Sequence, residues 1–338
     1  MQESIILNVP ALIRVFWLTF LSFVIAFLWT PILTDILYKY RIWKKVKKEG
    51  APIYNKLHAK KENTPVMGGL LIWVTALVIT LIFNFSRSQT WLPLFALVTT
   101  AILGFVDDYI NVRGIGKFKG LRARHKILWL LIISSIGAWW FYSKLGWGVA
   151  QGIHIPGIGD FLIGWWYIPL FIFVIIAAAN AVNLTDGLDG LAGGLLAMSF
   201  LAYGIIAFVQ EQFGIAAFCG ILMGAILAFL WFNIYPARFF MGDTGSISLG
   251  ATLGVVAMLT NSVIVLPIIG SVFLFETLSV IVQQIHKKVT GRKLILSAPI
   301  HNHFQALGWP ETKVTARFWI IGMISAIIGL AIALIGRG

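Results

Sequence analysis

Apolar runs long enough to cross a bilayer follow one another along the whole of this chain, and they constrain its fold more than any motif does. Each covers roughly 17 to 25 residues, the length a helix needs to traverse the hydrocarbon core. They read as ten spans, at 14–37, 67–83, 91–106, 127–143, 165–182, 190–209, 214–233, 244–260, 263–285 and 314–335. The seventh and eighth are the least sharply bounded, because glycines and short connectors blur them. Barrel strands would be shorter and would alternate in polarity, and no such alternation occurs. Composition agrees: 59% of the 338 residues are hydrophobic and 12% charged, where a soluble domain carries about a quarter charged. The expected fold class is an all-α integral membrane protein with about ten transmembrane helices, forming one polytopic domain over residues 1–338.

Lys and Arg set the orientation. Alternate spans place segments 38–66, 107–126, 183–189, 234–242 and 286–313 on one side, with nine, six, none, one and five basic residues. Arg317 brings that side to 22 of the 26, and Arg14, Arg87, Lys144 and Arg337 fall on the other. Basic loops are retained in the cytoplasm, so the five loops are expected inside and both termini outside. A net charge of +13 would suit nucleic-acid binding. Here the excess sits in juxtamembrane loops, where topology and anionic lipid account for it, so membrane lipids are expected partners and nucleic acid is not. The single Cys219 lies within a span and excludes an internal disulfide. No cleavable signal peptide, low-complexity tract or internal repeat is evident.

The polar residues fall in clusters at span ends, all on the inner side. Asp107-Asp108 closes the third span. Adjacent carboxylates there need solvent, a partner or a metal, and the pair suits a general base or a shared cation; a solvated helix end is the plainer reading. The stretch from Ile110 to Lys126 is rich in Gly and basic residues, including Lys117 and Lys119, and can cradle phosphates, as can many cytoplasmic loops. Asn180, Asn183, Asp186 and Asp189 recur every three residues, near one helical face, with Gly187 and Gly190 expected to interrupt the helix. Four such oxygen-bearing side chains suit a hard cation or a nucleotide; helix–helix hydrogen bonding accounts for Asn but poorly for two Asp. Asn233 and Met241-Gly-Asp243-Thr-Gly-Ser form a turn leading into an apolar helix, which presents backbone N–H groups to an anion and one carboxylate to a divalent ion. Phe239 and Phe240 beside it can stack on a base or anchor at the interface. His301 and His303, two apart, can bind a transition metal or hydrogen-bond phosphate or sugar. Segment 54–69 holds His58, Lys60, Lys61 and Thr64-Pro-Val-Met-Gly68-Gly69, where Lys serves as a phosphate counter-charge or as a solvated run. Glu276 lies inside the ninth span, and an intramembrane acid points to function or to a helix–helix hydrogen bond.

The motifs Lys61…Thr64-Pro65…Met67-Gly68-Gly69, Gly104-Phe-Val-Asp107-Asp108-Tyr109, Asn180-Ala-Val-Asn183-Leu-Thr-Asp186-Gly-Leu-Asp189-Gly-Leu, Met241-Gly-Asp243-Thr-Gly-Ser and Pro299-Ile-His301-Asn302-His303-Phe…Gly308-Trp309-Pro-Glu311…Arg317-Phe-Trp-Ile stand in this order. With them the chain resembles the polyprenyl-phosphate N-acetylhexosamine-1-phosphate transferases over nearly its whole length. The His-rich stretch and its Gly-Trp-x-Glu tail point to the muramoyl branch over the N-acetylglucosamine branch. Three positions depart from the family pattern: Asn63-Thr-Pro-Val66 where Gly-Thr-Pro-Thr is usual, Asn302 within a triple His, and Asn111 where Lys is common.

The resemblance implies that the phosphate of undecaprenyl phosphate attacks the β-phosphorus of UDP-N-acetylmuramoyl-pentapeptide, releasing UMP and forming lipid I, with Mg²⁺ required. It implies a bacterial inner (plasma) membrane location, an active site on the cytoplasmic face and a homodimer. The roles it implies place Mg²⁺ on Asp243, the attacking phosphate beside Asp107, and Asp108 in support of metal or base. A phosphate monoester is already largely ionised near neutrality (second pKa about 6), so Asp107 can act mostly by orientation. Lys61 and Lys126 neutralise phosphates. Asn183, Asp186 and Asp189 hold nucleotide or metal-bound water, Asn233 belongs to the substrate-binding set, Phe240 and Leu188 flank uracil, and His301, counted with the catalytic set, and His303 contact phosphate or sugar. Two other readings are a sister transferase that takes UDP-N-acetylglucosamine and a transporter or flippase. The latter would carry its polar residues near the bilayer midplane in broken helices and related halves, whereas here they sit at span ends.

Overall fold

The computed structural model describes residues 8–43, 61, 63–115, 120–146 and 152–335. His58, Lys60, Lys117, Lys119 and Arg337 lie outside the described residues. The chain is mostly helical. Its helices are α1 (Val9–Lys39), α2 (Gly69–Phe83), α3 (Trp91–Arg113), α4 (Ala123–Ser143), α5 (Tyr167–Thr185), α6 (Leu191–Val209), α7 (Phe213–Asn233), α8 (Asp243–Leu259), α9 (Leu266–Ile269), α10 (Ser271–Thr290), α11 (Ile300–Ala306) and α12 (Glu311–Leu334). One short antiparallel hairpin, β1 (Ile153–Ile155) with β2 (Gly159–Phe161), joins α4 to α5.

Every expected apolar run coincides with a helix. Among the described residues seven helices are long and apolar enough to cross a membrane, or eight if one bent pair is a single span. The helices α2 and α8, of 15 and 17 residues, rise only about 22 and 26 Å against a hydrocarbon core of about 30 Å. The ninth run differs from the straight span its composition suggested. Residues 263–269 form a 3₁₀ turn and α9, and after Gly270 the chain bends by 80° into α10. Pro267 near the start of α9 and the helix break at Gly270 supply the kink.

The core is built around α7 and α8, and every residue of α8 from Thr244 to Leu259 is buried. Its hydroxyls survive there because they bond back along the helix: Ser248 Oγ donates to the Thr244 carbonyl and Thr252 Oγ1 to the Ser248 carbonyl, both at 2.7 Å. The periphery is apolar instead of charged. Phe16 and Trp17 on α1, Trp129 and Trp139 on α4 and Ile320 and Ile327 on α12 all point outward, an arrangement that lipid solvates and water does not. The helices that carry acids approach closely. A Cβ at Gly104 on α3 would lie 2.2 Å from the Asp243 carbonyl oxygen, so only glycine lets α3 reach the first turn of α8.

Candidate active site

The site is assembled around the first turn of α8. Residues before α2 and before α8 pair through their backbones: Phe240 N–H donates to Pro65 O, Gly68 N–H to Phe240 O and Gly69 N–H to Met241 O, each at 2.8 Å. Gly242 then adopts a left-handed conformation (φ 73°) that L side chains rarely take, and α8 begins at Asp243. A carboxylate in a helix's first turn is favoured by the unpaired N–H groups there. A second one joins it, because Thr244 N–H donates to Asp108 Oδ2 at 3.1 Å. The close packing at Gly104 thus sets Asp107 and Asp108, one turn further along α3, against the α8 terminus.

Two further helices bring the counter-groups. The Lys126 ammonium on α4 lies 2.5 Å from Asp243 Oδ2 and 2.7 Å from Asp107 Oδ2, and Leu121 N–H donates to Asp107 Oδ1 at 2.5 Å. Asn183 near the end of α5 donates through Nδ2 to Asp243 Oδ1 and to Ser246 Oγ, both at 2.9 Å. Asp107, Lys126, Asn183 and Asp243 border a cavity of about 290 Å³ that Asp108, Asp186 and His301 also line. Seven of the residues singled out from the sequence (Asp107, Asp108, Lys126, Asn183, Asp186, Asp243 and His301) therefore meet at one place. Asn111 and Asn302, two of the positions that depart from the family pattern, line the same cavity.

The remaining site candidates lie beside the cavity. Lys61 Nζ pairs with Asp189 Oδ1 at 2.6 Å and with Glu311 Oε1 at 2.5 Å, and it stands 5.6 Å from the Phe240 ring centre. The same Glu311 oxygen accepts the Asp189 N–H at 2.6 Å, and Asp189 Oδ2 accepts the Ala237 N–H at 3.0 Å. Asn233 is a brace: its Oδ1 accepts the Gly190 N–H and its Nδ2 donates to Phe239 O. Leu188 is buried in the core, and His303 Nδ1 accepts the Leu296 N–H at 3.3 Å; neither lines the cavity. The face proposed for Asn180 to Asp189 is not continuous. Helix α5 stops at Thr185, just before the interrupting Gly187, so Asn183 and Asp186 face the cavity while Asp189 turns to Lys61. Asn180 is exposed and bonds back to Ile176 O.

Two partnerships escaped sequence reasoning. Glu311, 250 residues from Lys61, closes the second charge cluster. Glu276 on α10 pairs with His301, Oε2 to Nδ1, at 3.0 Å. The one available signal was that a buried acid requires a partner, which does not say which. Among the described residues no three His, Cys, Asp or Glu side chains converge on a metal position, and His303 Nδ1 is taken up by the Leu296 N–H. The cavity's carboxylates are hard oxygen donors, and Asp107 and Asp243 already share one cation, the Lys126 ammonium. That donor set fits a magnesium-like ion, which takes one or two carboxylates and completes its shell with water and phosphate oxygens.

Comparison with known proteins points to one family. The model of glycosyl transferase family 4 matches residues 90–261. A phospho-N-acetylmuramoyl-pentapeptide-transferase of Geobacillus sp. (strain WCH70) is 40% identical over 317 residues, covering 92% of this chain and 95% of its own. The protein of that name from Bacillus anthracis (strain A0248) is 41% identical over 316 residues, with the same coverage. The one from Chloroflexus aggregans is 40% identical over 309 residues, 88% of this chain and 83% of its own.

Proposed function

The chain belongs to the phospho-N-acetylmuramoyl-pentapeptide-transferases of glycosyl transferase family 4, and on that premise we propose the reaction its cavity performs. It transfers phospho-N-acetylmuramoyl-pentapeptide from the UDP-linked donor to undecaprenyl phosphate, giving lipid I and UMP, as a multi-pass enzyme of the bacterial plasma membrane. The observation that carries the reading is the meeting of Asp107, Asp108, Asp243, Lys126 and Asn183 around one cavity at a helix N-terminus. We place that cavity on the cytoplasmic face of a ten-crossing bundle with both termini periplasmic, since 22 of 26 basic residues belong to that side.

Phosphoryl transfer needs mainly positioning and charge stabilisation. An oxygen of the lipid phosphate bonds to the β-phosphorus of the nucleotide, and the bond from that phosphorus to the bridging oxygen breaks, so UMP departs with the electron pair. Asp107 orients the attacking phosphate. Lys126, already between two carboxylates, offers its charge to the pyrophosphate. Asn183 holds Asp243 by one oxygen and fixes its direction. Asp243, supported by Asp108, would hold Mg²⁺, which neutralises pyrophosphate charge when bound. Asp186 meets the nucleotide side of the cavity and His301 its phosphate or sugar.

The deciding experiment is a UMP-release assay with undecaprenyl phosphate and UDP-N-acetylmuramoyl-pentapeptide, with and without Mg²⁺, beside UDP-N-acetylglucosamine. Release is expected only with the muramoyl donor and the metal. Asp243→Ala is expected to fall below about a tenth of wild-type turnover while remaining folded, since one lost contact to developing charge commonly costs about a hundredfold or more. Preference for the N-acetylglucosamine donor, or turnover unaffected by chelation, counts against the proposal.

A further inference from the structure

Glu276 has no part in the chemistry above, yet it is completely enclosed on α10, with 0% of its surface exposed. A carboxyl group so placed needs a partner, and the partner is the cavity residue His301. The ring Nδ1 is 3.0 Å from Glu276 Oε2, and the His301 backbone N–H points to the same oxygen at 3.5 Å. The oxygen that accepts the His301 backbone N–H also accepts from the ring, which places the hydrogen on Nδ1. The other ring nitrogen, Nε2, is buried and has no hydrogen-bond partner among the described residues. It sits in the cavity wall where Gly187 has no side chain, since a Cβ there would be 2.3 Å from Nε2. Buried polar atoms in native proteins are almost always paired, and an orphan at the edge of a substrate cavity awaits a ligand atom.

We propose that Glu276 is a positioning residue for the transfer reaction: it fixes His301 by Nδ1 so that Nε2 is the nitrogen offered to the pyrophosphate of the nucleotide substrate. A carboxyl group behind an imidazole sets which nitrogen faces forward, and a ring that carries hydrogen on both nitrogens donates from Nε2 to an anionic oxygen. The pair joins two elements. The helix α10 holds the carboxylate, and α11 holds the ring. Glu276 itself touches no reacting atom.

This inference rests on the transferase reading, and its test separates the two. Wild type, Glu276→Gln, His301→Gln and the double variant are compared by UMP release, with thermal unfolding in detergent as a check on folding. Each single variant is expected to lower kcat at least about tenfold, the value of one charge-assisted hydrogen bond, with KM for the nucleotide changed less. The double variant is expected to be no slower than His301→Gln alone, because Glu276 acts through the ring. Losses that multiply in the double variant overturn the proposal. A second measurement needs neither turnover nor a variant that folds well. Nitrogen-15 NMR of histidine-labelled wild type is expected to show a His301 resonance with hydrogen on Nδ1, and a neutral ring with hydrogen on Nε2 alone overturns it. Absence of UMP release from the wild type would sink the transferase reading and leave the NMR result to decide the pairing.

Discussion

Single residues in the cavity carry unequal burdens, and Lys126 carries the most. Its ammonium separates the carboxylates of Asp107 and Asp243 at 2.7 and 2.5 Å, so Lys126→Met leaves two acids facing one another and, on the proposed reaction, removes a phosphate counter-charge. We expect kcat for UMP release to fall by about a hundredfold or more, and a variant within about threefold of wild type would show that the ammonium is dispensable. Gly187→Ala tests a different kind of constraint. Its new Cβ would stand 2.3 Å from His301 Nε2, and the ring cannot retreat because Glu276 holds its far side. A displacement of this kind near reacting groups can cost about a hundredfold in rate, so the turnover loss is expected to exceed any drop in thermal midpoint. The sequence made the identity of these residues legible, since acids and amides at span ends are costly without a task. It did not make their pairing legible. Asp107 with Lys126, Lys61 with Glu311 and Glu276 with His301 are contacts across 19, 250 and 25 positions, and periodicity does not reach across a turn.

Secondary-structure elements were the most readable level, because apolar length is a strong signal. Each run fell on a helix, and the two with blurred ends, at 214–233 and 244–260, became α7 and α8 with sharp boundaries. The exception was the run from 263, where uniform apolarity concealed an 80° bend; hydropathy measures length and not direction. The Asn180–Asp189 stretch was legible in part: the expected interruption is present, but it also ends the shared face. A spacing of three predicts a face only while helix persists, and α5 ends at Thr185. The joint between α3 and α8 gives the element-scale prediction. At Gly104 a methyl group would meet the Asp243 backbone at 2.2 to 2.4 Å, and main chain cannot swing aside as a side chain does. Gly104→Ala is expected to destabilise by roughly 1–3 kcal/mol, as overpacking does. It should also depress turnover together with the thermal midpoint in detergent, because the same joint positions Asp107 and Asp108. An unchanged midpoint would mean that the two helices are not locked there.

For the whole molecule, the charge asymmetry and the cavity make one claim about sidedness. Cysteines introduced singly beside Asp108, Asp186, Asp243 and His301 are expected to react with a membrane-impermeant maleimide only from the cytoplasmic side, and labelling of any of them from the periplasm would break the topology. The background for this experiment is already quiet, because the chain's one thiol, Cys219, is buried. The helix that carries Asp243 also bears on how such an enzyme can change. Its residues from Thr244 onward are enclosed on every side, so Asp243 is moored to a fixed mast. A new donor or acceptor would have to be accommodated by the rigging around it, in the turn after α5, the histidine helix α11 and the approach to α2, while the mast keeps its place.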